Sequence, residues 1–192
     1  MEKTNVVDNS KQKIMRWIRL LAALINAKCK KKLKGTETVC KSFRVWITDM
    51  DVSVMNHAAI MTVLETGRLD LMVRSNFLKI ASKNKWYFPS QAISIQFYRP
   101  LKIFQRAQIF TRISYADAKW IYIEQKIERK EKIIAACIVK GTVKKGRETI
   151  HTSEVLKALH IDSLPANKYD LINTYELENA QMNEKLVHNW NN

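Results

Sequence analysis

Two acidic residues and a histidine stand close together in residues 48–57. Asp49 and Asp51 are separated by one residue, and Asn56 and His57 follow just before a long apolar run. A carboxylate can act on a carbonyl carbon as a general base, through water, or as a nucleophile. The free N–H groups at the start of a helix can stabilise the oxyanion that then forms. The spacing therefore indicates acyl-transfer chemistry, with Asp51 as the candidate catalytic carboxylate.

Two other interpretations of these residues stay open. An Asp-X-Asp pair before a helix commonly closes a turn or caps the helix, and a single histidine such as His57 commonly makes a structural hydrogen bond. A metal site would need further ligands, and no nearby cysteine or second well-spaced histidine supplies them. We therefore expect neither a metal nor a resident cofactor, while the catalytic role of Asp51 competes with a capping role.

The apolar run after His57 predicts a buried helix. Asn56 is its expected N-cap, because this side chain can accept a hydrogen bond from the first free N–H groups. Apolar residues recur at spacings of three and four, and they are too many for a single face. They are Ile60, Met61, Val63, Leu64, Leu69, Leu71, Met72 and Val73. We therefore expect this helix to be nearly surrounded by protein.

The segments around this helix have the pattern of an antiparallel sheet. One loosely alternating strand is predicted before the helix, and four strands of period two after it. They cover residues 38–47, 92–98, 105–115, 120–129 and 132–144, with a helical turn at 77–81 and a short helix at 154–160. The last three strands are joined by short turns, which predicts a meander. One helix wrapped by such a sheet is an α+β architecture, and its open edge predicts association of copies.

Charge and cysteine content distinguish the ends of the chain from its centre. The 192 residues have a formal net charge of +15. We expect a basic amphipathic segment over residues 1–37, a central domain over residues 38–161 and a polar tail over residues 162–192. The three cysteines are scattered and odd in number. That pattern predicts reduced thiols in the cytoplasm rather than a disulfide framework.

The basic segment predicts a helix over residues 11–29. One face of this helix is apolar, and arginines lie on the other. The apolar residues are Ile14, Trp17, Ile18, Leu21, Leu24 and Ile25. The uninterrupted apolar core, residues 20–25, is far shorter than the roughly 20 residues that span a bilayer.

Two partners for this segment stay open. With the lysines that follow it, residues 11–34 would suit the surface of an anionic membrane. The helix could equally pack on the domain or on a partner subunit. Nucleic acid is a weaker candidate, because the interleaved aromatic residues of single-strand binders are missing here.

Five stretches of the chain resemble hotdog-fold acyl-CoA thioesterases of the 4-hydroxybenzoyl-CoA thioesterase type. They occur in the family's order and are residues 43–51, 65–71, 97–101, 104–106 and 122–129. The resemblance covers roughly residues 40–160. It implies a hotdog fold, in which a curved antiparallel sheet wraps a long central helix. It also implies homodimers or homotetramers with the site between two subunits.

The resemblance also implies roles for individual residues. The second acid of the Asp-X-Asp pair, Asp51, would be the catalytic carboxylate, and the N–H groups near Asn56 and His57 would polarise the thioester carbonyl. In some relatives an acid on the helix acts instead, and Glu65 is the nearest candidate. The substrate would be an acyl-CoA, whose CoA phosphates lie against surface lysines and arginines, and no other cofactor is implied.

The loop before the helix departs from the family's pattern. Relatives commonly have Gly-His-Met-Asn-Asn, whereas residues 54–57 are Val-Met-Asn-His, one residue shorter, with His57 in place of the second asparagine. Ile60 and Met61 stand near the place of a tyrosine that typically follows in the helix. Misplacing a catalytic group by about an ångström can cost about a hundredfold in rate. The alternative function is therefore a non-catalytic hotdog protein that binds acyl groups or a partner at a membrane surface.

Overall fold

The computed structural model describes residues 17–33 and 37–161, and beyond them only residues 174, 176, 177 and 181. The chain divides into two units, Met1–Asp162 and Ser163–Asn192. In the second unit the four described residues are helical. The first part of the helix predicted over residues 11–29, namely residues 11–16, lies outside the described residues. Nearly all of the predicted tail lies outside them as well.

Helices and strands follow one another in the order that the sequence predicts. The helices are α1 (residues 17–28), α2 (His57–Arg74), α3 (Phe77–Asn84) and α4 (Thr152–Ala158), and a 3-10 helix covers Ile47–Asp49. The strands are β1 (Val39–Arg44), β2 (Ser90–Phe97), β3 (Arg106–Ala116), β4 (Ile121–Arg129), β5 (Lys132–Gly141), β6 (Val143–Lys145) and β7 (Glu148–Ile150).

The central helix α2 is enclosed by the rest of the domain. Asn56 caps it, and its side chain accepts a hydrogen bond of 2.6 Å from the N–H of Ala58. From Ala59 to Arg74 no residue of α2 is exposed. The prediction of a nearly surrounded helix with Asn56 as its N-cap is confirmed.

One antiparallel sheet packs against α2. In the described part of the chain its five strands have the order β1-β3-β4-β5-β2, so β1 and β2 form the two edges. The strands β3, β4 and β5 are neighbours in both sequence and space, which confirms the predicted meander. Alternate residues of β3 and β4, such as Ile109 and Ile127, are buried toward α2. The predicted α+β class, with an antiparallel sheet wrapped on a long helix, is confirmed.

Three elements differ from the sequence prediction. The first predicted strand, residues 38–47, ends at Arg44, and Ile47–Asp49 forms a 3-10 helix instead. The helix α3 reaches Asn84 instead of ending at residue 81, and it lies between Asn76 and Lys85, which both have left-handed backbone with φ of 68° and 57°. Neither position is a glycine, so the usual signal for such a helix end is missing. The last predicted strand is interrupted at residue 142 and continues as the hairpin of β6 and β7.

Helix α1 packs on the domain through small residues. Ala23 and Ala27 are one turn apart and fully buried. Arg19 forms an ion pair of 2.5 Å with Asp49, the residue that ends the 3-10 helix. This inner face of α1 therefore packs on the domain, as one of the two predicted alternatives expects.

Beyond α1 the chain continues along the end of α2. The ammonium of Lys30 lies 3.0 Å from the buried carboxylate of Asp70, and the N–H of Leu33 donates to the carbonyl of Arg74 at 3.0 Å. The guanidinium of Arg74 in turn donates to the carbonyl of Lys31 at 2.9 Å. The basic segment that follows α1 is thus bound to the domain rather than separate from it.

We expect Gly67→Ala to destabilise the protein, although alanine is the better helix former by about 1 kcal/mol. The new Cβ would lie 2.7 Å from Thr111 Oγ1 and 3.1 Å from Gln125 Nε2. These two atoms are hydrogen-bonded to each other at 2.9 Å, so neither moves freely. Overpacking of this kind costs about 1–3 kcal/mol. Because the closest approach is shorter than 3.0 Å, the upper part of this range applies, about 2–3 kcal/mol. After subtraction of the gain in helix propensity, urea unfolding should show a net loss of about 1–2 kcal/mol.

A control on the same helix is Thr62→Ala, which replaces a half-buried side chain that bonds only its own helix. It should change the free energy of unfolding by less than about 0.5 kcal/mol. A Gly67→Ala protein as stable as the parent would contradict the close approach of α2 to β3 and β4.

Candidate active site

The loop before α2 is a closed hairpin. Met50 and Met55 face each other in an antiparallel bridge. The N–H of Asn56 donates to the carbonyl of Asp49 at 2.7 Å, so the base of the loop and the start of α2 are tied together. The N–H of Met55 donates in addition to the carbonyl of Leu101 at 2.8 Å. The loop is therefore held at its base by both its own backbone and the segment before β3.

Asp51 lies next to the tip of this hairpin. Its N–H donates to the carbonyl of Val54 at 2.9 Å, which leaves Val52 and Ser53 as the two tip residues. Val52 is 97% exposed. Asp51 itself is exposed, and its carboxylate makes no hydrogen bond or ion pair with a described residue. A carboxylate in this state is available to accept a proton or to attack an electrophile.

Asp49 has a different environment, although only Met50 separates it from Asp51. Its side chain is 3% exposed, and one carboxylate oxygen accepts a hydrogen bond of 2.8 Å from the N–H of Trp46. The same oxygen is paired with Arg19. The capping interpretation of the Asp-X-Asp pair therefore applies to Asp49.

Asn56 and His57 form the start of α2. Because the side chain of Asn56 already accepts from Ala58, the first-turn N–H groups that remain for a ligand are those of His57 and Ala59. His57 is exposed, and its ring lies against Phe97 at the end of β2, with the centroids 4.3 Å apart. The loop thus places Asn56 and His57 close to Asp49, whereas Asp51 lies at the exposed end of the hairpin.

Glu65 lies elsewhere on α2. It is eight residues beyond His57, which is about 12 Å along a helix. It is half-buried and lines a cleft of about 440 Å³ between α1 and α2. The walls of this cleft are mostly apolar and include Leu20 and Leu24 of α1, while Glu65 and Arg68 are its charged residues. The two candidate acids, Asp51 and Glu65, are therefore in separate places.

A buried polar network beside Glu65 was not predicted. Arg68 donates to Gln125 Oε1 at 2.7 Å. The amide nitrogen of Gln125 donates to Thr111 Oγ1 and to the carbonyl of Leu64, both at 2.9 Å. Gln125 occupies the inward row of β4, between Ile123 and Ile127, and a polar residue in an apolar row was the available signal.

Burial shifts the pKa values of two groups near this network. Burial raises the pKa of the Cys137 thiol to about 11, and the nearby charge of Arg68 opposes the shift. Burial also lowers the pKa of Arg68, against the effects of Cys137 and Glu65.

No helix in residues 17–33 and 37–161, or among the few residues described beyond them, is long and apolar enough to cross a bilayer. Within the same ranges, no group of three or more His, Cys, Asp or Glu side chains is placed to hold a metal ion.

A long helix wrapped by one antiparallel sheet of this strand order is the hotdog fold. The sequence model of the Thioesterase-like superfamily matches residues 45–159. The chain belongs to this superfamily. No curated protein matches the chain.

Solved structures of the same fold are similar to this chain. A probable thioesterase from Bartonella henselae is 24% identical, covers 60% of this chain and 98% of its own, and gives a TM-score of 0.51. The probable thioesterase YbaW from Escherichia coli is 18% identical, with 62% and 94% covered and a TM-score of 0.59. A 1,4-dihydroxy-2-naphthoyl-CoA thioesterase from Synechocystis is 15% identical, with 64% and 95% covered and a TM-score of 0.56. At these identities the likeness establishes the fold.

We expect two of the three thiols to react quickly in the native protein. Cys29 and Cys40 are exposed, whereas Cys137 is buried. The thiolate is the reactive form, and a pKa of about 11 leaves Cys137 almost entirely protonated near neutral pH. Titration with a chromogenic disulfide at about pH 8 should count two thiols, and a third after unfolding in urea.

The control for this titration is Cys40→Ser, which should lower the native count to one and leave the urea-dependent thiol unchanged. A third rapid thiol in the folded parent would contradict the buried position of Cys137.

Proposed function

We propose that this protein hydrolyses acyl-CoA thioesters to a free acid and CoA, with Asp51 as the catalytic carboxylate. One observation carries the proposal, namely the different environments of the two acids in the loop. Asp49 is buried and paired with Arg19, whereas Asp51 is exposed and unpaired among the described residues, close in sequence to the start of α2. Membership of the Thioesterase-like superfamily supports the same chemistry.

The reaction follows from the groups around this loop. Asp51 takes a proton from water, whose oxygen attacks the thioester carbon, or its own oxygen attacks that carbon directly. The N–H groups of His57 and Ala59 stabilise the oxyanion, helped by the positive end of the α2 dipole. The carbon–sulfur bond then breaks, and CoA leaves as a thiolate that takes up a proton. In the direct route a water molecule afterwards hydrolyses the acyl-aspartyl anhydride.

The main alternative within this function places the chemistry at Glu65. Its support is the cleft between α1 and α2, whose apolar walls suit an acyl group. A carboxylate at the charged end of this cleft could activate water there. The two versions predict different effects of removing each acid.

We also propose that the protein works as a homodimer or homotetramer. β2 pairs only with β5 among the described strands, so its other side is a free edge. Ile93 and Phe97 of this strand are exposed, and Phe97 contacts His57. An eight-residue edge with exposed apolar side chains favours pairing with a second copy. Such pairing would bring a partner next to the start of α2.

We expect Asp51→Asn to lower kcat by about a hundredfold or more, because a general base contributes a factor of that order. Thiol release should be measured with acyl-CoAs of short, long and aromatic acyl groups. Glu65→Gln is the matched variant, since it also replaces a carboxylate by an amide of the same size. It should change kcat by only a few fold.

Three results would change this assignment. An Asp51→Asn protein as fast as the parent would exclude Asp51. Loss of turnover in Glu65→Gln alone would move the catalytic role to Glu65. Tight binding of acyl-CoA with no turnover by the parent would favour the alternative of a non-catalytic binding protein.

A second proposal concerns the outer face of α1, which we infer to contact an anionic membrane surface from the cytoplasm. Trp17 is 71% exposed, and Ile18, Leu21 and Ile25 on the same face are more than half exposed. The exposed Lys28 and Lys31 follow directly, while Lys30 is paired with Asp70. An exposed apolar face with tryptophan and adjacent lysines is typical of interfacial helices. The three free cysteines support a reducing compartment such as the cytoplasm.

We expect the full chain to sediment with vesicles that contain an anionic phospholipid, and less with vesicles of phosphatidylcholine alone. Ile18→Glu combined with Ile25→Glu should abolish this binding, because both side chains point away from the domain. The control is Ile133→Glu, an exposed isoleucine at the start of β5. Equal binding of the double variant and the parent would exclude α1 as the contact.

A further inference from the structure

An exposed aromatic surface lies beside the loop of the candidate active site. Trp46 and Phe104 are each 51% exposed, and their rings meet edge to face with the centroids 6.2 Å apart. Ile47 and Ile103, their neighbours in sequence, are 68% and 38% exposed. We call these four residues the aromatic patch. Large apolar side chains clustered on one surface indicate an interaction site.

The backbone holds Phe104 in an unfavourable conformation. Residues 102–105 form a tight turn, in which the N–H of Gln105 donates to the carbonyl of Lys102 at 3.2 Å. Phe104 is the third residue of this turn and has a left-handed backbone with φ of 61°. Glycine or asparagine is usual at such a position, and a large side chain is rare there. Since its ring is also half exposed, this strain is not offset by burial in the core, which indicates a role in contact with another molecule.

Cations lie around the aromatic patch. Lys102 belongs to the same turn as Phe104 and is exposed. Arg44 at the end of β1 and Arg106 at the start of β3 stand directly opposite each other, and both are exposed. In the part of the chain that the structure describes, none of these three cations forms an ion pair with a carboxylate. Their charge is therefore available to an anionic partner.

The acids nearby do not neutralise these cations. Glu128 lines the same surface depression as Trp46 and Arg106, but it is paired with Lys126 at 2.5 Å. Asp51 is exposed on the adjoining hairpin, where the three cations outnumber it. The patch and its surroundings therefore suit a partner that is apolar inside and anionic at its surface.

Helix α1 begins next to the aromatic patch. The ion pair between Arg19 and Asp49 joins the first described turn of α1 to the 3-10 helix that begins at Ile47. Trp17 and Ile18 come directly before Arg19, and both are more than half exposed. The exposed face of α1, which is the proposed membrane contact, therefore starts beside the patch.

We infer that the aromatic patch is a second membrane contact, whose apolar side chains enter the surface of an anionic bilayer while the three cations beside it contact lipid phosphates. The choice of a bilayer rests on the membrane contact proposed for α1. Tryptophan and phenylalanine next to basic residues are typical of protein surfaces that lie at a membrane interface. The hairpin that holds Asp51 follows the 3-10 helix directly, so docking through α1 and the patch together places the candidate active site at the bilayer.

The first test is sedimentation of the full chain with vesicles that contain an anionic phospholipid. Trp46→Ser combined with Phe104→Asn should weaken this binding by at least about tenfold, because burial of one large apolar side chain contributes about that factor. Tyr87→Asn is the matched control, since it replaces an aromatic residue of similar exposure between α3 and β2. It should bind the vesicles as the parent does.

Thermal unfolding separates a membrane role of Phe104 from a role in folding. Asparagine tolerates the left-handed backbone of position 104, so Phe104→Asn relieves the strain that the phenylalanine carries. The Tm of Phe104→Asn should be at least as high as that of the parent, while its vesicle binding is weaker. A clearly lower Tm would assign the ring to folding and overturn its place in the membrane contact.

Fluorescence tests the position of Trp46 directly. Trp46→Phe keeps an aromatic side chain, so the variant should still bind vesicles. With lipids that carry bromine on their acyl chains, a smaller fraction of its tryptophan fluorescence should be quenched than in the parent. Trp86→Phe is the control, because Trp86 packs against the core, and its loss should not lower the quenched fraction. Equal quenching in Trp46→Phe and the parent would overturn the inference.

Comparison with the Ile18→Glu, Ile25→Glu variant separates the patch from α1. Binding that is lost in this variant but unchanged in Trp46→Ser, Phe104→Asn would overturn the patch contact and leave the contact of α1. The reverse result would support the patch and contradict the contact of α1. A parent that does not bind anionic vesicles would overturn both.

A second copy of the chain is the competing occupant of the patch. Sedimentation velocity without lipid should give the same oligomeric state for the parent and for Trp46→Ser, Phe104→Asn. A smaller oligomer in this variant, with vesicle binding unchanged, would overturn the membrane contact in favour of an interface between copies.

Discussion

The side chain and backbone of Asp49 join three parts of this protein. Its carboxylate accepts from the N–H of Trp46 and pairs with Arg19 of α1, while its carbonyl accepts from the N–H of Asn56. The leader helix, the 3-10 helix and the start of α2 are therefore fixed relative to one residue. Removing one partner of a buried ion pair typically costs about 3–5 kcal/mol, because a buried charge is left uncompensated. The acid that determines the geometry of the site is thus not the acid that we propose for the chemistry.

Enclosure of α2 creates a second constraint, because this helix carries charged residues into the interior. Asp70 is fully buried and is approached by Lys30 at 3.0 Å and by Arg74 at 3.8 Å. Burial lowers the pKa of the nearby Lys41, and the charge of Asp70 opposes that shift. A buried carboxylate needs such cations, and one of them, Lys30, comes from the segment after α1. The N-terminal segment, residues 17–33, therefore covers α2 and also supplies a cation to its buried carboxylate.

Sequence patterns predicted the helices and strands, but they did not predict the contacts between them. Period-two strands and the apolar run of α2 follow from local periodicity, so their order was predictable. The face of α1 that packs on the domain could not be predicted. This face uses the small residues Ala23 and Ala27, whereas the predicted apolar face with Trp17 and Ile25 is exposed. Small residues allow two helices to approach closely, yet they carry a weak signal in a hydropathy pattern.

The different environments of Asp49 and Asp51 could not be predicted from the sequence either. Both acids stand in one loop, and only the burial of one and the exposure of the other distinguish them. The register of the sheet sets Arg44 opposite Arg106, and strand periodicity does not determine which residues pair. Part of the polar network around Arg68 could be predicted from the sequence, since Gln125 interrupts an apolar row. The residue of α2 that donates to Gln125, Arg68, could be identified only from the fold.

The short loop can be understood from these contacts. Asn56 caps α2, and its N–H donates to the carbonyl of Asp49. Between these two residues Val52 and Ser53 form a two-residue turn, the shortest that commonly closes a hairpin. The start of α2 and its free N–H groups therefore have the position that the cap defines. Asp51 directly precedes this turn, so the hydrogen bonds that close the loop also set where Asp51 lies relative to the helix start.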